Sequence, residues 1–585
     1  MANLLHIESN ILPVGSRWIV LVGLGAALLI SFIDQNAVSI ILADLGTDLR
    51  AGDSISWAGT SALIANTVFQ VFYGRISDIF GRRNVLLACM GLMALGDLLC
   101  GFATSAPQLY LFRGIAGAGN GGVGALANII VADTWTLETQ RPKYQGILGA
   151  FIGLGSVIGP FLAAAIANSW KWQGLFWVIS TITFVCGIAV RLTVPESEIR
   201  DASGHRPSVK AKLALVDWWG LLSSSLGIIL LLIPISSGGE EFAWDSAVSV
   251  STLTLGALLM VLFVVIEWRW AAMPLLPHQF FTNPPVCAIM VQNVFMGAVW
   301  YSGLYFIPIY CQGARQWSLM QAAILTTPLL GSQAIVSILS GLYMSHYNSY
   351  GGVIWCGYGL WTLGSGLTLL WDDTTTPGVV VATLLVIGTG VGLVFQPTIQ
   401  ALQAHTAKED RAAVISVRNF TRAMGGAAGL AISTAVFASQ IESGVASLPA
   451  EARRRVTEEI ISVPDLKTFT EDEARTVTGA HIAGSRAVFL MWVVLMAICL
   501  ALCVFIKDRG LTREVVGESE DTEDKDSSEN RSGSTSRNEE VGPVNQLFAS
   551  QGTGADLGET SRVASSGSYP DSVHGTKKES AGERV

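Results

Sequence analysis

The amino-acid sequence predicts an all-α polytopic membrane protein with fourteen transmembrane helices. Three observations carry that reading. Apolar residues make up 51% of the 585 residues and charged residues only 14%, where a soluble chain carries roughly 25% charge. Fourteen apolar runs are long enough to cross about 30 Å of hydrocarbon as helices. Leaving aside one long segment, Lys and Arg, finally, fall mostly on alternate loops between those runs.

The runs span residues 18–42, 57–76, 84–104, 109–132, 145–167, 173–193, 214–236, 247–267, 286–310, 320–345, 353–371, 378–399, 412–440 and 483–506. Residues 1–16 lack the charged start and small-residue cleavage site of a signal peptide, so the first run is expected to stay as a span. With the N-terminus in the cytoplasm, the inner loops carry Arg75, Arg82, Arg83, Arg141, Lys143, Arg191, Arg200, Arg206, Lys210, Lys212, Arg269, Lys408, Arg411, Arg418 and Arg422. The short outer loops then carry Arg50, Lys171 and Arg315. That asymmetry places both termini in the cytoplasm. A long outer segment, 441–482, holds further arginines. Residues 507–585 are rich in Ser, Glu, Asp and Gly and should be a disordered tail.

Several function classes are excluded on composition. No basic patch exists apart from loops between apolar runs, so no nucleic-acid partner is expected. All eight cysteines lie inside apolar runs without metal-ligand spacing and read as buried thiols. There is no Gly-x4-Gly-Lys-[Ser/Thr] loop, so ATP does not drive the protein directly. No His sits with a Ser or Cys nucleophile in a recognisable motif. The chain is therefore not expected to be an enzyme or to hold a cofactor or metal.

The loop after the second run reads Gly74-Arg-Ile-Ser-Asp78-Ile-Phe-Gly81-Arg82-Arg83. It resembles the signature loop G-x-x-x-D-x-x-G-R-[RK] of the major facilitator superfamily. Gly74 and Gly81 allow tight turns and close helix contact, and Asp78 and Arg82 can form charge-assisted bonds. The fourth run begins Leu109-Tyr-Leu-Phe-Arg113-Gly-Ile-Ala-Gly117-Ala-Gly119, which is similar to that superfamily's l-x-x-x-R-x-x-q-G-x-g motif with Ala116 in place of Gln. An arginine inside a span is costly and marks a functional candidate. The fifth run, Gly155-Ser-Val-Ile-Gly159-Pro160-Phe-Leu-Ala163-Ala164, resembles the antiporter motif G-x-x-x-G-P-x-x-G-G, with Ala in both final positions. Ile33-Asp34-Gln-Asn-Ala-Val38 in the first run resembles the l-D-x-T-[IV]-V element of the fourteen-span drug:proton antiporter family, with Asn36 for Thr. Trp170-Lys-Trp172, Asp217-Trp218-Trp219-Gly220 and Arg418-Asn-Phe-Thr-Arg422-x-x-Gly425-Gly426 continue the likeness, which is nearest to fungal members. Gly341-Leu-Tyr-Met-Ser345 echoes Gly74-x-x-x-Asp78 as an internal repeat.

The resemblance implies a major facilitator fold of two six-helix bundles with two extra central helices. Its divisions would be a cytoplasmic N-terminus (1–17), a first bundle (18–193), a cytoplasmic linker with two inserted helices (194–285), a second bundle (286–506) containing the outer loop 441–482, and the tail (507–585). The activity it implies is proton-coupled export of small amphipathic molecules by alternating access, from a monomer in the plasma membrane. Alternatives on the same fold are a vacuolar basic amino acid transporter and a nutrient sensor that does not transport. The expected partners are a small-molecule substrate, protons and the lipid bilayer.

Site residues follow. Asp34 is the first choice for the coupling proton and Arg113 its electrostatic partner. Asp97 lies at nearly the depth of Asp34, counted at about 1.5 Å per residue along each span. It could share a proton with Asp34 or pair with a cationic substrate, or simply bond a neighbouring backbone. Gly74, Asp78, Gly81, Arg82, Arg83 and Asp133 form the expected conformational clasp, and Gly155, Gly159 and Pro160 the antiporter motif. Asn66, Gln70, Asn120, Asn128, Gln292, Asn293, Gln396 and Gln400 are candidates for a substrate cavity, each equally able to serve as an interhelical bond.

Overall fold

Each of the fourteen apolar runs folds as helix. A computed structural model describes residues 5–8, 14–51, 54–55, 57–135, 140–169, 171–196, 198–201, 208–237, 246–269, 282–407, 410–457, 469–508 and 510–511. The helices are α1 (Val14–Asp48), α2 (Trp57–Phe80), α3 (Arg82–Cys100), α4 (Ala106–Thr134), α5 (Arg141–Ser169), α6 (Gln173–Thr193), the short α7 (Val209–Ala214), α8 (Trp218–Ser237) and α9 (Ala247–Arg269). They continue with α10 (Pro284–Gly313), α11 (Leu319–Tyr347), α12 (Gly351–Thr368), α13 (Pro377–Gly392), α14 (Pro397–Ala404), α15 (Arg411–Gly444), α16 (Ala450–Thr457) and α17 (Glu471–Leu502). Among the described residues, twelve helical segments are long and apolar enough to cross a membrane. The two remaining runs fall on α2 and α12. Helix α2 is diluted by Asn66, Gln70, Arg75 and Asp78, and α12 by its glycines.

Five features depart from the sequence reading. Two four-residue strands, β1 (Leu5–Glu8) and β2 (Glu198–Asp201), pair antiparallel, where only helices were expected. The run 378–399 is broken into α13 and α14, because Pro397 has no N–H to donate. The last helix begins at Glu471 instead of near 483, started by a capping box between Thr470 and Glu473. The segment 441–482 is thereby partly helical, through the end of α15, all of α16 and the start of α17. Of the cysteines, Cys287 is half-buried and Cys356 exposed, while the other six are buried. The expected tail beyond residue 511 lies outside the described residues.

Helices α1 to α6 pack among themselves: α1 on α4, α5 and α6, α2 on α4, and α3 on α4 and α6. Helices α10 to α17 do likewise, with α10 on α15 and α17, α13 between α11 and α12, and α17 on α12 and α15. Helix α8 packs on α9 and touches α2 and α15. Outward faces are apolar, as lipid contact requires: Leu92 and Leu95 on α3, Phe184 and Leu192 on α6, Leu258 and Val261 on α9 are all exposed.

Small residues set how closely the helices approach. On α4, a Cβ at Gly117 or Gly121 would strike the backbone of Ala62 or Asn66 on α2, and one at Gly119 would strike Cys89 on α3. The two sets of helices meet at two matching crossings. At Gly74 on α2 a Cβ would meet Ser416 and Ala412 of α15, and at Gly341 on α11 it would meet Pro142 and Gly146 of α5. The echo between Gly74 and Gly341 thus marks equivalent places in the fold.

Gly117→Val should lower the thermal stability of the detergent-purified protein, with overpacking of about 1–3 kcal/mol. Gly114→Ala, where nothing lies within 4 Å of the added carbon, should leave the melting temperature unchanged. Size-exclusion profiles after graded heating compare the two.

Candidate functional site

Asp34 on α1, Asp97 on α3 and Arg113 on α4 converge on one point. Arg113 Nη1 donates to Asp34 Oδ1 at 2.7 Å and to Asp97 Oδ1 at 3.2 Å. Arg113 Nε faces the carbonyl of Ala58 at 3.4 Å, and the guanidinium lies 5.7 Å from the centre of the Phe176 ring. Asn120, two turns along α4 from Arg113, donates from Nδ2 to Asp34 Oδ2 at 3.2 Å and to Ser31 O at 3.2 Å. Its Oδ1 accepts from the Ser31 hydroxyl and from Gln35 Nε2. Relative exposure is 0% for both aspartates and 2% for Arg113 and for Asn120, so bulk water does not screen these charges.

The local sequence explains the meeting. Glycine at 96 lets α3 lie against the backbone of Ala116, where any Cβ would collide. That contact brings Asp97, the next residue, to the arginine. The antiporter-motif glycines do the same for α1: a Cβ at Gly155 would meet Leu29 O at 2.5 Å, and one at Gly159 would meet Ile33 O at 2.8 Å. Helix α5 therefore lies directly against the turn that carries Asp34.

Two carboxylates share one guanidinium, so the cluster carries a net charge of −1 when both are ionised and zero with one proton bound. Asp97 Oδ2 is buried without a hydrogen-bond partner, which leaves an oxygen on which a proton can reside. Like charges this close cannot both persist cheaply in a dry site. The arrangement is chemically able to bind and release one proton while Arg113 remains charged.

At one end of the helices, five charges form a chain. Arg82 reaches Asp133 at 2.9 Å through Nε and Asp78 at 2.6 Å through Nη2. Asp78 lies 3.6 Å from Arg75, and Arg75 Nη2 reaches Asp410, just before α15, at 2.7 Å. Arg82 Nη1 also donates to Gly74 O at 3.3 Å and to Ser77 Oγ at 2.5 Å. Gly81 has a φ of 97°, a left-handed conformation that glycine adopts without strain, and it turns the chain sharply from α2 into α3. Arg83 stands apart from this chain and binds Glu196 at 2.5 Å. The sequence reading missed Asp410, which lies 335 residues from Arg75. Its only signal was the echo in the second half that places α15 opposite the Gly74 loop.

The amide candidates are buried but do not form one site. Asn120 belongs to the Asp34 cluster. Gln70 donates to Asn66 at 3.2 Å along α2. Asn128 and Asn293 bond carbonyls of their own helices. Gln292 bonds Cys499 O at 2.8 Å and joins α10 to α17. Gln400 donates to Gln145 at 2.5 Å, linking α14 to α5. Gln396 Oε1 is buried without a hydrogen-bond partner, and its side chain stands near Gly149.

Residues 24–430 match the family model described as Major Facilitator Superfamily. Citrate exporter 1 of Yarrowia lipolytica (strain CLIB 122 / E 150) is 38% identical over 529 residues, covering 90% of this chain and 77% of its own length. The efflux pump FUS6 of Gibberella fujikuroi (strain CBS 195.34 / IMI 58289 / NRRL A-6831) is 26% identical over 537 residues, covering 88% of this chain and 94% of its own. The solved structure of the proton:xylose symporter XylE bound to 6-bromo-6-deoxy-D-glucose shares the fold, with a TM-score of 0.54 at 14% identity over 85% of this chain and 97% of that one. These are transporters, not enzymes.

Arg113→Ala should destabilise the protein by about 3–5 kcal/mol, because it strands two buried carboxylates. Adding Asp97→Asn should restore part of that loss. Thermal unfolding of the single and double variants gives the coupling, and independent, additive effects would contradict a shared charge cluster.

Proposed function

Because this chain belongs to the Major Facilitator Superfamily, we propose that it is a proton-coupled secondary exporter of a small organic molecule. The observation that carries the reading is the Asp34–Arg113–Asp97 cluster, a buried charge set that one proton neutralises. The relatives named as a citrate exporter and an efflux pump support the outward direction, and the small-residue contact of α5 on α1 supports it through the antiporter motif. All fourteen runs cross the membrane in this reading, α2 and α12 included. Both termini lie in the cytoplasm, and the protein works as a monomer in the plasma membrane.

The cycle follows from the geometry. With a proton on the cluster, the site is neutral and the helices around it can rearrange with no uncompensated charge. Loss of the proton leaves a net negative charge that draws Arg113 tightly between the two acids. A change at Asp34 is felt by α5 through Gly155 and Gly159, and α5 in turn packs on α11 through Gly146, Gly149 and Gly153. Helix α5 thus links the proton site to the crossing between the two sets of helices. The chain Asp133–Arg82–Asp78–Arg75–Asp410 closes the cytoplasmic side at the other crossing and must open once in each cycle. Uptake of basic amino acids would need a carboxylate available to a cation, and Asp34 and Asp97 are both engaged by Arg113.

Proteoliposomes given labelled citrate or other small organic molecules from outside, under an imposed pH gradient, test the coupling. Asp34→Asn should abolish accumulation driven by a pH gradient while leaving substrate exchange measurable. If that variant still concentrates substrate against a gradient, the proton site lies elsewhere.

A further inference from the structure

The second half of the chain carries charges of the opposite sign. Arg418 and Arg422 stand one turn apart on α15, and both lie over the same ring: their guanidinium centres are 5.7 Å and 5.2 Å from the centre of Phe395. Arg418 is 3% exposed. It donates from Nη2 to Phe395 O at 2.7 Å and to Thr398 Oγ1 at 3.2 Å, and from Nη1 to Asn419 Oδ1 at 3.0 Å. All three acceptors are neutral. These bonds satisfy a carbonyl freed by the break between α13 and α14, and they hold the ring in place. Arg422 is half-buried, its Nε is buried without a hydrogen-bond partner, and among the described residues it has no ion pair or side-chain hydrogen bond.

Two guanidinium groups therefore lie within a membrane helix with no described carboxylate against them. Such a pair is repulsive at this spacing, and buried charge without a counterion is costly. We propose that Arg422, backed by the charge of Arg418 and by the Phe395 ring, is the binding site for a carboxylate group of an anionic cargo bearing two or three carboxylates. The guanidinium fork matches a carboxylate bidentately. Residues four apart on a helix are about 6 Å apart along its axis, so a second carboxylate a few bonds away on the same small molecule meets the second positive charge. A monocarboxylate neutralises only half of the pair. The neutral acceptors around Arg418 mark it as a positioning residue, and the unpartnered Nε of the half-buried Arg422 marks it as the ligand-binding one. This inference rests on the transport reading above and names the cargo class of that transporter.

Direct binding tests it without transport. Purified protein in phosphatidylcholine nanodiscs should bind labelled citrate. Succinate should displace the label, while acetate and glucose should not. Arg422→Gln should weaken citrate binding about tenfold or more, the loss of a charged hydrogen-bonded contact, and Arg422→Lys should weaken it less. The wild-type competition series needs no variant, so a poorly folding mutant leaves the test intact. Absence of citrate and succinate binding overturns the site. So does displacement by acetate as readily as by succinate, or, in matched nanodiscs that contain phosphatidylglycerol, a rise in melting temperature that citrate leaves unchanged, which would assign the pair to a lipid headgroup. Proton-driven transport of a neutral cargo without citrate binding would overturn this site and leave the export reading standing. Citrate binding that depends on Arg422, in a protein that shows no proton-driven transport, would do the reverse.

Discussion

A charge placed among membrane helices has to be balanced by another group within the protein, since neither lipid nor bulk water can do so. The polar architecture of this chain follows from that constraint. At Asp34, Asp97 and Arg113 the balance is incomplete by one positive charge, and a proton is the smallest species that supplies it. At Arg75, Asp78, Arg82, Asp133 and Asp410, three acids and two bases are arranged alternately, so that each arginine lies between acids. At Arg418 and Arg422 the local excess is positive. The first two places are each short of one positive charge, with the second lying at a crossing between the two sets of helices, and the third has a positive excess.

Small residues connect these places mechanically. Gly155 and Gly159 press α5 onto α1 beside Asp34, while Gly146 and Gly153 press the same helix onto α11. Gly74 presses α2 onto α15, whose first residue follows Asp410 and whose interior holds Arg418 and Arg422. Packed helices with close backbone contact shift as rigid bodies more readily than they deform. Helices α5 and α2 thus join the surroundings of the carboxylate cluster to the two crossings, and α15 holds the arginine pair on the same helix that follows Asp410.

Much of this was legible in the sequence, for definite reasons. The runs of apolar residues gave the helices because spanning lipid demands length and apolarity together. Asp34 and Arg113 stood out because ionisable groups inside spans are rare, and Asp97 because helical rise converts position into depth. What was not legible depends on contacts between distant segments. Asp410 reads as an ordinary loop acid until α15 is packed against α2. The buried amides look alike in the sequence, yet Gln292 ties two helices together and Asn120 orients a carboxylate. Arg418 and Arg422 fell inside the run 412–440 even though they were tallied with the inner-loop charges, but that both lie over the Phe395 ring depends on a contact between segments that are distant in the sequence. The start of α17 at Glu471 was hidden because its first turns are polar and an apolar-run criterion cannot register them.

In the proposed cycle the Asp34–Arg113–Asp97 cluster holds one exchangeable proton. Infrared difference spectroscopy of the protein in lipid, recorded across neutral pH, reads the protonated carboxyl stretch directly. A single buried carboxyl band should disappear on raising the pH and be lost or displaced in both Asp34→Asn and Asp97→Asn. A carboxyl spectrum that does not change with pH, or one that is the same in both variants as in the wild type, would contradict it.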